Sequence, residues 1–360
     1  MKMVCDSRNC TGCKACVNVC GKDAIRIGDK IDCLEPVIDP AKCVECGLCV
    51  DVCPNNSPRE LKESIYCKQG WAKDEIRCNS SSGGVAAELM RSFIMSGGYV
   101  ASCMYKDGGF SFVVTNDLSE VKKFAGSKYV KSDPGLIYNE IRALINKNCK
   151  VLFIGLPCQA AAVLNVCGDD ENLYKADLIC HGTPSMELLR MYLAENGVDL
   201  NYAQDVRFRK DNNFGLIVDG KRLMPGRIPD HYTFAYLKAL DYTENCYDCR
   251  YAGTRRVSDI TLGDAWGQLS DTDEKGVSLI LCQSDKGREL LEHSELELFD
   301  ADLEKAKAAN PQLNHPAVKP DKRNLFLSRI KEGRSVISAT KKTIPMFCLK
   351  SKIKILFAGR

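Results

Sequence analysis

Apolar positions along the chain fall into two rhythms. Val151-Leu152-Phe153-Ile154-Gly155 is apolar throughout, the pattern of a parallel strand covered on both faces, and it runs into Leu156-Pro157-Cys158-Gln159 with a helix predicted over 160–166. Asp177-Leu178-Ile179-Cys180-His181-Gly182 repeats the arrangement, so a second strand delivers a cysteine at its carboxyl end. Residues 85–95 have helical periodicity and follow Ser80-Ser81-Ser82-Gly83-Gly84, while 258–267 alternate like a strand entering a turn. From about Ser57 onward such apolar segments alternate with amphipathic ones, which predicts a mixed α/β domain over 59–330. Before it, over 1–58, only Ala24-Ile25-Arg26-Ile27 reads as a short strand, and Pro54-Asn55-Asn56-Ser57-Pro58 reads as a linker.

Cysteine spacing explains what those first residues do instead of building a large core. The chain has 21 cysteines in 360 residues, and no apolar N-terminal stretch follows Met1-Lys2-Met3, so metal or redox ligands are expected rather than disulfides. Cys10, Cys13, Cys16 and Cys20 form a C-x2-C-x2-C-x3-C run, repeated by Cys43, Cys46, Cys49 and Cys53. Three thiolates so spaced wrap one face of a cuboidal 4Fe-4S cluster while the fourth ligates the other cluster. One cluster is therefore assigned to Cys10, Cys13, Cys16 and Cys53, the other to Cys43, Cys46, Cys49 and Cys20. Gly12 and Gly47 sit where backbone must pass close to inorganic sulfide. The region resembles a bacterial dicluster ferredoxin, an α+β module, with Gly21 in place of the usual proline. Paired zinc sites in a scaffold protein are the alternative, yet zinc rarely uses three ligands at this spacing plus a fourth.

Beyond the module, Cys158 and Cys180 lie at strand ends, where open α/β sheets bind ligands. With Cys246-Tyr247-Asp248-Cys249 they supply four thiolates for a third 4Fe-4S cluster; separately they also read as small core residues and half a zinc site. Two readings stay open for Ser80–Gly84, a phosphate cradle or a serine cap on an ordinary core helix, and the cap is preferred. The other nine cysteines, Cys5, Cys33, Cys67, Cys78, Cys103, Cys149, Cys167, Cys282 and Cys348, are read mostly as buried apolar residues.

Five blocks, in order, resemble the beta subunit family of the coenzyme F420-reducing hydrogenase: Ser80-Ser81-Ser82-Gly83-Gly84, Gly126-Ser127-Lys128-Tyr129-Val130, Gly155-Leu156-Pro157-Cys158-Gln159, Cys180-His181-Gly182-Thr183-Pro184-Ser185, and Cys246-x-x-Cys249 through Ser258-Asp259-Ile260-Thr261-Leu262-Gly263-Asp264-Ala265-Trp266-Gly267. The resemblance implies a flavoprotein domain holding FAD beside a 4Fe-4S cluster on Cys158, Cys180, Cys246 and Cys249. It implies flavin contacts from Ser82, Gly83, Gly84, Ser127, Lys128, Tyr129, Gly155 and Pro157. Some members of the family take coenzyme F420 as substrate, and others accompany surface-polysaccharide synthesis. Lys128 would then hold charge on the reduced ring or a phosphate, and His181 would donate a proton or a hydrogen bond; an exposed lysine and a structural histidine are the plain alternatives. Asp259 and Asp264 read as capping or turn residues. Arg207-Phe208-Arg209-Lys210 and Arg255-Arg256 read as anion contacts or solvated charge.

Charge narrows the partners. Fifty Lys and Arg against 47 Asp and Glu leave a net charge of +3, too balanced for a nucleic-acid surface, so a redox protein or a hydride-carrying cofactor is expected. No run nears the roughly 18 apolar residues of a membrane span, and the chain is expected in the cytoplasm. Over 331–360 basic residues interleave with apolar ones, which fits either peripheral contact with an anionic membrane or a helix packed on the domain. The expected activity is flavin-dependent electron relay between a two-electron carrier and the clusters; a non-catalytic electron-transfer subunit is the alternative.

Overall fold

The computed structural model describes residues 3–346 and 349, apart from 211–212, 226–227 and 270–274. The expected strand at the front of the chain is half of a hairpin, β1 (Ile25–Asp29) with β2 (Leu34–Ile38), paired antiparallel from Ile25 opposite Ile38. Two single-turn helices flank it, α1 (Ala15–Asn18) and α2 (Leu48–Asp51), each inside one cysteine run. Left-handed residues bend the backbone ahead of both. Gly12 and Lys14 have φ of 68° and 58°, and at the matching places in the second run Glu45 and Gly47 have 56° and 84°. Each repeat thus uses the same two left-handed positions but puts its glycine at a different one.

The larger domain is built on an eight-stranded mixed sheet. Its strands are β3 (Tyr66–Ala72), β4 (Tyr99–Lys106), β5 (Gly109–Thr115), β6 (Val151–Gly155), β7 (Leu173–Leu178), β11 (Ile260–Asp264), β12 (Ser278–Cys282) and β13 (Leu296–Asp300), in the order β13-β3-β12-β11-β7-β6-β4-β5. Strands β8 (Val206–Lys210), β9 (Asn213–Val218) and β10 (Lys221–Arg222) form a separate three-stranded sheet. The four central strands β4, β6, β7 and β11 are parallel, and antiparallel pairs close both flanks.

Strand alternation sorts the core into layers. Val151 and Phe153 of β6 face the core that includes helices Ile137–Ile145 and Pro157–Cys167, while Leu152 and Ile154 face helix Val85–Met95 on the other side. Both faces of β6 are buried, as its unbroken apolar run requires. The helix after β6 starts three residues earlier than predicted, with Pro157 in its first turn, where a missing N–H costs nothing.

The front module docks mainly through its first repeat, with a smaller contribution from Val52 and Ser57. Cys13 and Ala15 belong to the core under the helices at 137–145 and 157–167. Lys14 Nζ reaches Asp133 at 2.7 Å, Asn18 Nδ2 donates to the Gly135 carbonyl at 2.9 Å, and Asn165 Nδ2 donates to the Val52 and Ser57 carbonyls. At the other end of the chain, helix Val336–Thr343 is packed, with Val336 and Ala339 in the same core as the small sheet, and Glu195 accepts from the Val336 and Ile337 N–H groups. The basic stretch from 350 onward, and Cys348, lie outside the described residues. No helix among the described residues is long and apolar enough to cross a membrane.

Candidate functional site: three adjoining cavities

The carboxyl ends of β6, β7 and β11 open onto a cavity of about 290 Å³, the edge at which parallel strands expose backbone and place ligands. Its walls bring together Ser82, Gly84, Ser127, Lys128, Tyr129, Gly155 and His181, segments far apart in sequence. The Ser127 N–H bonds Ser81 Oγ at 2.8 Å and so joins the two loops. Helix Val85–Met95 begins here on Gly84, φ 81°, and no side chain caps it. The serine-cap preference is therefore corrected: Ser80 and Ser82 spend their hydroxyls on the Ile76 and Val277 carbonyls. That leaves the first-turn N–H groups of this helix on the cavity wall, where helix ends favour anions.

Two expected contacts fall elsewhere. Gly83 is not on the wall; a Cβ there would stand 2.3 Å from the Gly70 carbonyl oxygen and 2.7 Å from Ser278 N, so this glycine lets the loop lie against β3 and β12. Pro157 lines the neighbouring cavity with the cysteines. Lys128 is half-buried rather than exposed. Its ammonium donates to the carbonyls of Phe124 and Ala125, and burial lowers its pKa to about 8. His181 lies edge-on to Trp266, centroids 5.5 Å apart, and burial lowers its pKa to about 4, so the ring is neutral near pH 7.

Further residues complete this wall, and most of them carry no legible signal in the sequence. Tyr129, an expected contact, stacks on Tyr236 at 4.5 Å and on Phe214 at 5.7 Å, an aromatic column along one side. Asp264 reaches the cavity too and accepts from Arg209 Nη1 at 2.7 Å, which makes it more than a turn residue. Asn310, 2 % exposed, also lies on this wall, and its side-chain oxygen is buried without a protein partner. By contrast Asp259 is structural: it accepts from Lys175 N and Ser284 Oγ at 2.8 and 2.7 Å. Arg256 is also internal, beside Asp177 at 3.5 Å, so it is neither an anion contact nor solvated.

A second cavity, of about 220 Å³, has Cys158, Cys180, Cys246 and Cys249 on its walls together with Pro157. All four cysteines are free thiols, a donor set that suits a 4Fe-4S cluster. Among the described residues no three such side chains close on a single-ion site; cubane ligands surround a wider group than one ion. Lys131, unnoticed in the sequence, is buried in this wall. Burial alone would depress its pKa, but negative charge on the sulfurs of Cys246, Cys158, Cys180 and Cys10 reverses the direction and holds it above the usual lysine value.

Leu156, Cys180, His181, Gly182 and Thr183 line both cavities, so the first opens against the second. Thr11 and Asn55 form a wall of the second and also of a third, inside the front module. That third cavity gathers Cys10, Cys13, Cys16 and Cys53, the crosswise set that the repeat spacing implies. The remaining set lies outward: Cys46 is exposed, Cys20, Cys43 and Cys49 are partly buried, and Cys20 Sγ accepts from the Ala24 N–H at 3.4 Å.

Comparison with known proteins gives two family matches. Residues 148–304 match the family described as the C terminus of the beta subunit of coenzyme F420 hydrogenase/dehydrogenase, and residues 9–57 match the 4Fe-4S dicluster domain. No curated protein matches the chain. A similar solved structure is a chain from the F420-reducing NiFe hydrogenase complex of Methanosarcina barkeri, at 20% identity and a TM-score of 0.48, covering 79% of this chain and 93% of that one. Residues 148–304 are thus similar to the C terminus of the coenzyme F420 hydrogenase/dehydrogenase beta subunit, behind a 4Fe-4S dicluster domain, and the chain is an iron-sulfur electron-transfer oxidoreductase related to that subunit.

Proposed function

We propose that the chain is a flavin-dependent iron-sulfur oxidoreductase that takes a hydride from a two-electron carrier, reduced F420 or another donor, and delivers single electrons to its clusters. The observation that carries this reading is the order of the cavities, each sharing a wall with the next, from the glycine-and-serine-lined space through the four-cysteine space to the dicluster module. FAD supplies the conversion between two-electron and one-electron traffic, which a cluster alone does not perform.

The chain's own residues fit such a ligand. The uncapped first turn of helix Val85–Met95 receives a phosphate, and the Tyr129 side offers an aromatic face. Lys128, held by carbonyls and still largely protonated at neutral pH, places a positive charge beside a ring that gains negative charge on reduction. His181, neutral, donates at most one hydrogen bond across the boundary between the first two cavities. Cys158, Cys180, Cys246 and Cys249 hold the third cluster, and Lys131 offsets part of its charge. Exposed Cys46, flanked by Val44 and Leu48 at 61% and 54% exposure, marks where a redox partner protein receives the electrons.

Anaerobic quantification of iron, sulfide and released flavin tests the reading. About twelve iron atoms and one FAD per chain are expected from three cubanes and a flavin. Bleaching of the flavin by reduced F420 or NADH identifies an enzyme with its own substrate; a chain with clusters but no flavin overturns the proposal.

A further inference from the structure

The four sulfurs of the second cavity meet unequal surroundings. Two side chains aim donors at Cys246: Thr183 Oγ1 lies 3.9 Å from its Sγ and Asn245 Nδ2 lies 3.7 Å from it. Thr183 is buried, and among the described residues its hydroxyl has no other partner. Thr243 Oγ1 is also 3.6 Å from this sulfur, but a hydroxyl has one proton, and Asn245 Oδ1 takes it at 2.8 Å. That bond turns the amide oxygen towards Thr243 and leaves Nδ2 for Cys246. Among the described residues no side-chain donor reaches the sulfur of Cys158, Cys180 or Cys249. The donors are also fixed in place. The Thr243 N–H donates to the Thr183 carbonyl at 3.1 Å, and the Glu244 N–H to the Asp32 carbonyl at 2.8 Å. Buried Arg323 donates to the Tyr242 carbonyl and pairs with the Glu244 carboxylate, each at 2.9 Å, so the turn is braced on both sides of Thr243.

We propose that Thr183 and Asn245 are positioning residues that raise the reduction potential of the third cluster by donating hydrogen bonds to the Cys246 sulfur. The proposal rests on the reading of Cys158, Cys180, Cys246 and Cys249 as ligands of that cluster. A ligating thiolate has no proton to give, so the hydroxyl and the amide are the donors in both contacts. Reduction adds negative charge that the sulfurs share, and donors aimed at one of them favour the reduced state. Thr183 stands on the wall common to the first two cavities, and Asn245 lines the second alone. Both donors therefore favour arrival of an electron at the cluster, and one of them does so from the side of the first cavity.

The test uses the full chain purified anaerobically, with iron counts and an EPR-monitored redox titration in which the third cluster is the signal that Cys158→Ser removes. Asn245→Leu is expected to keep the wild-type iron count and to make reduction of this cluster about tenfold less favourable, a fall of roughly 59 mV for one electron. Thr183→Val, which keeps the shape and loses the hydroxyl at the longer distance, is expected to lower the midpoint by less. Thr183→Ser, which restores the hydroxyl, is expected to return it to the wild-type value. The midpoints of the inner and outer clusters should not move. A wild-type midpoint in either Asn245→Leu or Thr183→Val overturns the proposal. So does a Thr183→Ser midpoint as low as that of Thr183→Val, or a loss of roughly four iron atoms or of the fold in either variant, because these residues would then hold the cluster or the chain together rather than set a potential. A wild-type chain with roughly eight iron atoms would instead remove the third cluster itself.

Discussion

The two ferredoxin repeats carry the same cysteine spacing and meet opposite surroundings. Cys10, Cys13 and Cys16, with Cys53 from the second repeat, are buried, and they line a cavity that shares Thr11 and Asn55 with the four-cysteine cavity of the larger domain. Cys43, Cys46 and Cys49, with Cys20, lie towards solvent beside exposed Val44 and Leu48. Duplication supplies two equal ligand sets; docking of the first repeat, through Cys13, Ala15, Lys14 and Asn18, makes one of them internal. Under the proposed function the difference gives direction to the module: an inner cluster would exchange electrons with the domain and an outer one with whatever approaches the surface.

The strongest challenge to that contrast is to delete each half. Cys16→Ala and Cys46→Ala are each expected to cost roughly four iron atoms, but only Cys16→Ala should abolish the magnetic interaction between the third cluster and its neighbour in the EPR spectrum. Backbone substitutions come next. Gly12 has φ 68° and its added Cβ would lie 2.2 Å from Leu34 Cδ1, so Gly12→Ala should cost about 1–3 kcal/mol in anaerobic thermal unfolding. The matching Glu45→Gly relieves a left-handed non-glycine residue and should shift stability by no more than about 1 kcal/mol, in the stabilising direction. Charge is a finer probe: Lys131→Met removes a cation that favours the reduced clusters and should lower the potentials of the third and inner clusters by about 60 mV, roughly 1.4 kcal/mol for one electron, leaving the outer one unmoved. Smallest of all is Lys14→Met, whose partner Asp133 is 53% exposed; unfolding should change by less than about 1 kcal/mol.

Much of this is readable in the sequence, for identifiable reasons. Ligand spacing in the front module is local, so eight cysteines and their crosswise sharing follow from it, and an unbroken apolar run forces β6 into the sheet interior. The strand-end positions of Cys158 and Cys180 put them on one edge, while their meeting with Cys246 and Cys249, which lie at a 3-10 turn far along the chain, is expected from the family resemblance. Residues that act through three-dimensional position alone give no signal. Lys131 looks like any lysine after an apolar residue, and Asn310 sits far along the chain. Gly83 and Pro157 show the opposite failure: each belongs to a block that meets the first cavity, but one faces the strands behind it and the other faces the cysteines. Asp264 reads as a turn residue because alternation reports the strand and not the space beyond its last residue.

EPR of the anaerobically reduced chain, integrated against a spin standard, probes the adjoining cavities most directly. About three spins per chain, split by mutual interaction, are expected for three reduced cubanes in neighbouring cavities, falling to about two in Cys158→Ser. A spectrum of about two spins that Cys158→Ser leaves unchanged would mean that the four-cysteine cavity holds no cluster and that no electron path joins the large cavity to the module.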